Sequence, residues 1–315
     1  MTGLATTSTF RTNWSGPLMV AAGGVCIGFA PIGLRLGLGE LGPQAIALWR
    51  YLFALPVLFL IVLVAQRRLP ARPNRFVLIA GTCFALDMGL WHAALTFTSV
   101  ANATFIVNLG NIGVGFAAWI FLREALKPAW VFAVILAVVG AAALSFGSQH
   151  ASDVTRPFAL RGDLLALGAA VLVSGYMLAS KLARRTLGGL ETIFWLTMVE
   201  ACVATLLVTL SGEAFLPAEF AGFSAPLFLA LIVQVCGQGL IVTGLGHTPA
   251  SLAGVLVVIQ PVVAAFLSWH LFGEILLPLQ IGGAVLILAA ILIAQMANRR
   301  PVSPLSQSST TSFID

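Results

Sequence analysis

Asp87 and Glu200 each stand alone in a long apolar run, as Ala-Leu-Asp87-Met-Gly and Met-Val-Glu200-Ala-Cys. Arg50 is set the same way, in Ala-Leu-Trp-Arg50-Tyr. An ionisable group at membrane depth is costly and normally faces a cavity or a partner. Each carboxyl is therefore either a proton-coupling or cation-binding group or a neutral or paired structural acid. Arg50 either pairs with a carboxylate or carbonyls, or attracts the carboxylate of a bound solute. Together Asp87, Glu200 and Arg50 form the candidate coupling or charge-pairing set.

Amides make a second polar set. In ANATFIVNLGNIGVGF (101–116) three asparagines interrupt an apolar run. Residues three or four apart share a helix face, so Thr104, Asn108, Asn111 and Gly115 form one stripe. Asn102 lies on the neighbouring edge, toward a helix end. A row of amides facing lipid is expensive. The stripe either bonds across a tight helix contact, as Gly110, Gly113 and Gly115 suggest, or lines a cavity that holds a polar solute. Gln234 and Gln238 lie one turn apart in a later run, and Gln260 follows. Trp91 and Tyr176, with Ser174 nearby, are candidates for apolar cavity walls, because small-molecule sites combine such walls with few polar anchors. The candidate substrate-binding set is Asn108, Asn111, Trp91, Tyr176 and Gln238. His92 and His270 read as interfacial or hydrogen-bonded. Glu124 and Glu274 read as capping or gate-lining groups. Trp14, Trp49, Trp130 and Trp195 read as interfacial belt residues.

The elements that position these groups follow from composition. Only 9% of the 315 residues are charged and 59% are hydrophobic, against about a quarter charged in a soluble domain. Mean hydropathy is +1.03. The chain is a polytopic membrane protein, and ten apolar runs of about 20 residues are legible: 17–38, 43–65, 75–96, 100–122, 129–147, 161–184, 190–211, 223–245, 250–272 and 278–297. Helices satisfy their own backbone in lipid, so the expected fold is all-α. The start, MTGLATTSTFRTNW, has one basic residue and no cleavage site follows the first run, so no signal peptide is expected. The tail PVSPLSQSSTTSFID is expected to be disordered. Cys26, Cys83, Cys202 and Cys236 lack metal or redox spacing and read as reduced, buried packing residues. No metal or cofactor site is expected.

With a cytoplasmic N-terminus, twelve Lys and Arg fall on the inner side: Arg11, Arg67, Arg68, Arg72, Arg75, Arg123, Lys127, Lys181, Arg184, Arg185, Arg299 and Arg300. Only Arg35, Arg156 and Arg161 fall outside. The positive-inside rule then puts both ends in the cytoplasm. The pI of 9.5 is a topology signal, and no nucleic-acid partner is expected.

A shift of 150 residues lays WIFLREALKP (119–128) on WHLFGEILLP (269–278). Trp119 meets Trp269, Glu124 meets Glu274 and Pro128 meets Pro278. The register holds back to Gly89 on Gly239. Toward the front an offset of 146–147 pairs Arg35 with Lys181 and Gly28 with Gly175. The chain thus divides into a terminus 1–16, a first five-helix repeat 17–148, a linker 149–160, a second repeat 161–298 and a tail 299–315. Five is odd, so the repeats are expected to be inverted, as in secondary transporters.

The segment from Ala250 to Gln295 resembles the end of an EamA domain of the drug/metabolite transporter superfamily. The resemblance rests on a small-residue helix with Pro261, a terminal Gly273-Glu274, then Pro278 and a last helix with Gly282 and Gly283. The first half resembles the same domain through Glu124, Pro128 and Arg50, over about 17–297 in all. It departs at Asn111, where the second half has Pro261. The resemblance implies a ten-helix fold, carriage of small metabolites, often outward, and a bacterial inner-membrane location. An amino-acid exporter is the leading expectation, with nucleosides or cationic drugs as other cargo and a passive channel as a further alternative. No GxxxxGK[ST] loop is present, so flux is expected to run on gradients or by simple facilitation. The lack of HExxH or GxSxG settings argues against an enzyme. A monomer or weak oligomer suffices.

Overall fold

The computed structural model describes residues 15–94, 96–98, 100–147, 159–273 and 276–298. Trp14, Glu274, most of the 149–160 linker and both tails lie outside the described residues. Ten helices are long and apolar enough to cross a membrane, and no strand occurs among the described residues. This agrees with the all-α expectation. The backbone has no water to bond in hydrocarbon, so each run closes its own hydrogen bonds as a helix.

The first span is two helices, α1 (Ser15–Ile27) and α2 (Ala30–Gly37). The second to seventh spans are α3 (Pro43–Gln66), α4 (Arg75–Ala94), α5 (Val100–Leu122), α6 (Pro128–Gly147), α7 (Ala159–Ala183) and α8 (Gly189–Ser211). The eighth combines a 3-10 turn (Phe220–Phe223), α9 (Ser224–Phe228), a π-helical stretch (Leu229–Gln238) and α10 (Gly239–Leu245). The ninth is α11 (Ala250–Val257) followed by α12 (Gln260–Phe272), and the tenth is α13 (Pro278–Asn298).

Span boundaries agree with the sequence to within a few residues, but three interiors differ. Pro31 lacks the N–H that would bond the Ile27 carbonyl four residues back, and the first span breaks between α1 and α2. Pro261 does the same to Val257 in the ninth span. Proline alone is not enough, since α3 runs unbroken through Pro56. The eighth span widens into a π-helix, a form often found at functional sites.

Neighbouring helices pack as α4 on α7, α5 on α7, α3 on α8 and α6 on α13, with α1 against the eighth span and α5 against α11. Carboxylates in loops or first helical turns cap helix starts and tie neighbouring segments together. Glu213 accepts from the Ala45 N–H at 2.9 Å. Glu191 accepts from its own helix start at Gly188, 3.1 Å, and from Ala71, 3.0 Å. Glu124 accepts from the Ala250 and Ser251 N–H groups, 3.0 and 3.2 Å, and from the Ser251 hydroxyl, 3.0 Å. An anion is favoured at these donor-rich helix starts. Lys181 lies 3.8 Å from Glu124 and donates to the Thr248 carbonyl.

Two expectations are corrected. Cys202 and Cys236 are exposed on the bundle's outer surface, and Cys26 and Cys83 are half-buried. In lipid an outward position suits a small apolar thiol as well as a core one does. Trp130 is buried, and its indole N–H donates to the Ser251 carbonyl at 2.9 Å. It pins α6 to α11 instead of standing in an interfacial belt.

Candidate substrate cavity

A cavity of about 170 Å³ lies inside the bundle. Its walls come from both breaks and from intact helices. Ile27, Gly28 and Pro31 border the first break, and Val257, Gln260 and Pro261 the second. Between them stand Arg50 of α3, Phe84, Asp87 and Trp91 of α4, Asn108 and Asn111 of α5, Tyr176 of α7 and Gln238 of the π-helical stretch. Seven of the eight candidate residues line this cavity; Glu200 does not.

Arg50 and Asp87 lie seven residues from the ends of their helices, at Pro43 and Ala94. Consecutive spans run in opposite directions, so those ends share one membrane face. At 1.5 Å rise per residue both groups sit about 10 Å below it. Arg50 is 6% exposed and donates to the Tyr51 hydroxyl at 2.7 Å. Its guanidinium lies 4.6 Å from the centre of the Tyr51 ring. Its Nε has no partner. Asp87 is 1% exposed, and its Oδ1 has no partner. Among the described residues no ion pair involves either group. A guanidinium and a carboxyl thus face the same cavity at the same depth, without pairing.

The amide stripe resolves into two faces. Asn108 donates to the Thr104 carbonyl at 2.8 Å, and Asn111 donates to the Asn108 side-chain oxygen at 3.3 Å. Both bonds run along α5 itself and leave the amides at the cavity wall. The tight helix contact lies elsewhere on α5. A Cβ on Gly110 would run into the Ala170 carbonyl of α7, and Ser174 donates to the Gly110 carbonyl at 2.6 Å. Ser174 is thus a helix pin instead of a cavity wall. Gly115 leaves the stripe and faces the Trp130 ring. The Asn102 side chain lies outside the described residues.

Tyr176 packs its ring 4.8 Å from that of Phe84, and its hydroxyl approaches the Gln238 and Ser180 side chains. Gln238 lines the cavity and donates to Glu200 Oε1 at 2.9 Å. Gln234 donates to Glu200 Oε2 at 2.6 Å and to the Thr197 hydroxyl at 2.8 Å. Glu200 is 0% exposed and lies behind the wall, held by both glutamines. His92 was missed by sequence reasoning. It is buried, lines the cavity and has an unpartnered Nδ1. Its place near a helix end made it look interfacial; only its position next to Trp91 hinted otherwise. Among the described residues no cluster of three metal-ligating side chains converges.

Ten membrane-crossing helices around one solute-sized, partly charged cavity define a membrane transporter. The chain belongs to the EamA-like transporter family, whose sequence profile matches residues 14–146 and again residues 160–296. It is 30% identical over 227 residues to the uncharacterized transporter YwfM of Bacillus subtilis (strain 168), covering 71% of this chain and 74% of that one. It is 23% identical over 268 residues to the uncharacterized inner membrane transporter YhbE of Escherichia coli (strain K12), covering 80% of each. A protein of known crystal structure shares the fold, with a TM-score of 0.79 at 18% identity, over 91% of this chain and 99% of that one.

Proposed function

We propose that this protein is a secondary transporter that exports amino acids across a bacterial inner membrane by alternating access, with both termini cytoplasmic. The observation that carries the cargo is the unpaired Arg50 and Asp87 on the walls of one cavity. An amino acid brings a carboxylate and an ammonium. Arg50 takes the carboxylate, for which its planar fork is suited. Asp87 takes the ammonium. Asn108, Asn111 and Gln238 bond the remaining polar edges, and Trp91 and Tyr176 cover the side chain. Each charge contact is strong because the walls are mostly apolar.

Alternating access is supported by the two faces of the bundle. Lining residues reach Pro43, at the start of α3, and His92, two residues from the end of α4. At the other face Glu124 and Lys181 draw α5, α7 and α11 together. An inverted repeat is supported by the double family match and by the helix contacts. Exchanging the halves turns the α4–α7 contact into that of the eighth span with α1, while α3–α8, α6–α13 and α5–α11 map onto themselves. The interface is complete in one chain, so a monomer suffices.

Counterflow in proteoliposomes tests this reading. Liposomes preloaded with unlabelled amino acids take up a radiolabelled mixture of the protein amino acids in a saturable way. Arg50→Leu and Asp87→Asn each lower that uptake by about tenfold or more, the effect of one lost charged hydrogen bond. Saturable uptake of nucleosides or cationic drugs in place of amino acids overturns the cargo. Non-saturable flux means a channel.

A further inference from the structure

Glu200 is, among the described residues, the mid-span carboxyl that does not line the cavity. It is 0% exposed, and among the described residues no cationic side chain forms an ion pair with it. Its two oxygens are each met by a different glutamine amide, at 2.6 and 2.9 Å, both from one π-helical stretch. On the far side of those amides the Gln234 carbonyl oxygen has no partner, and the Gln238 side chain is met by the Tyr176 hydroxyl, which also approaches Ser180. A partnerless oxygen next to a fully enclosed carboxyl is unusual in a native interior, where polar groups are normally satisfied.

We propose that Glu200 is a proton-binding site whose state is passed to the cavity by Gln238, making the transporter a proton antiporter. The inference rests on the transporter reading above and adds the coupling group to it. With Glu200 ionised, Gln238 turns its N–H toward the carboxylate and its carbonyl oxygen away, as seen here. A proton on Glu200 Oε1 reverses the bond. The carboxylic O–H becomes a donor, and Gln238 turns its amide over to accept it. The Tyr176 hydroxyl, a cavity-wall group beside Gln238, then meets the amide N–H where it had met the carbonyl, and turns its own O–H from Gln238 toward the cavity. A hydroxyl oxygen favours the ammonium of a bound amino acid and an O–H pointed at it opposes it. Proton and substrate therefore compete for the site, and a proton entering from outside expels the substrate there.

The groups around Glu200 allow this assignment. From α3 it is faced by Arg50 and Tyr51, and from α7 by Tyr176. Asp87 comes from α4, which packs on the same helix α8. From the eighth span only the neutral Gln234 and Gln238 face it. Asp87 is the rival proton site, so the experiment carries both.

Purified wild type, Glu200→Gln and Asp87→Asn are reconstituted and given the radiolabelled amino-acid mixture. Two assays are run: accumulation driven by an acid lumen, and counterflow at uniform pH. The expected result is that Glu200→Gln, which cannot ionise, loses at least about tenfold of the pH-driven accumulation, within the usual range of site coupling. Its residual counterflow no longer changes when the uniform pH is varied, whereas Asp87→Asn lowers both assays alike and leaves the pH dependence in place. Undiminished pH-driven accumulation in Glu200→Gln, or none in a wild type that performs counterflow, overturns the proposal. A wild type with no counterflow overturns the amino-acid reading alone. Wild-type protein in detergent is also treated with a hydrophobic carbodiimide, which reacts with protonated carboxyls, and mapped by mass spectrometry. Labelling of Glu200 that fades as pH rises supports the site even if Glu200→Gln does not fold. No labelling of Glu200 at any pH overturns it.

Discussion

The fourth and ninth spans coincide when the sequence is shifted by 150 residues, yet they bring polarity to the cavity by different means. The fourth is one unbroken helix, α5, and presents the Asn108 and Asn111 amides. The ninth has Val258 and Pro261 at those positions and breaks between α11 and α12. There the polar group is backbone: the Val257 carbonyl, deprived of its donor by Pro261. An intact helix must borrow polarity from side chains, whereas a broken one supplies it from the main chain and gains a joint. The two spans also hold each other. A Cβ on Gly254 of α11 would strike the Asn111 carbonyl, and Glu124, just beyond α5, caps the start of α11.

The largest way to break this pairing is Gly254→Leu. The obstacle is backbone that cannot move aside, so overpacking of about 3 kcal/mol or more is expected. Size-exclusion chromatography after expression should show little monodisperse protein; a normal peak would mean that the α5–α11 contact is slack. Glu124→Ala comes next. It leaves three donors at the start of α11 without their acceptor, at about 2 kcal/mol, and should lower the detergent melting temperature by several degrees. An unchanged melting curve would show that the cap is dispensable.

Asn108→Ala with Asn111→Ala sharpens the comparison by making the fourth span as apolar as the ninth. Folded yield should hold and saturable uptake should fall by about tenfold. Unchanged uptake would remove the amides from the site. The smallest effect is expected from Pro261→Ala. The new N–H can bond the Val257 carbonyl and straighten the joint, raising stability by about 0.5 kcal/mol and lowering uptake by about threefold. A rise in uptake would argue that the break hinders transport.

Much of the architecture was legible because lipid leaves the backbone so few choices. Long apolar runs had to be helices, and the lone Asp87 and Arg50 had to meet something other than hydrocarbon. The amide stripe was only half legible. Helical periodicity grouped Gly115 with Asn108 and Asn111, but the neighbours of α5 separate them, since Gly110 and Gly115 receive α7 and Trp130. Glu200 and Asp87 looked alike in sequence. Which one reaches the cavity depends on the eighth span, whose π-helical turn stacks two glutamines on one carboxylate.

By itself, then, the sequence determined the ten helices and the short list of polar groups buried among them, because those follow from hydrophobicity and periodicity along one chain. Tertiary structure alone decided that Arg50 and Asp87 face each other's cavity unpaired, that Glu200 stands behind Gln238, and that Pro31 and Pro261 break their spans while Pro56 does not. Each of those depends on which helix lies alongside, at what depth and with which face turned inward, and local periodicity carries none of that information.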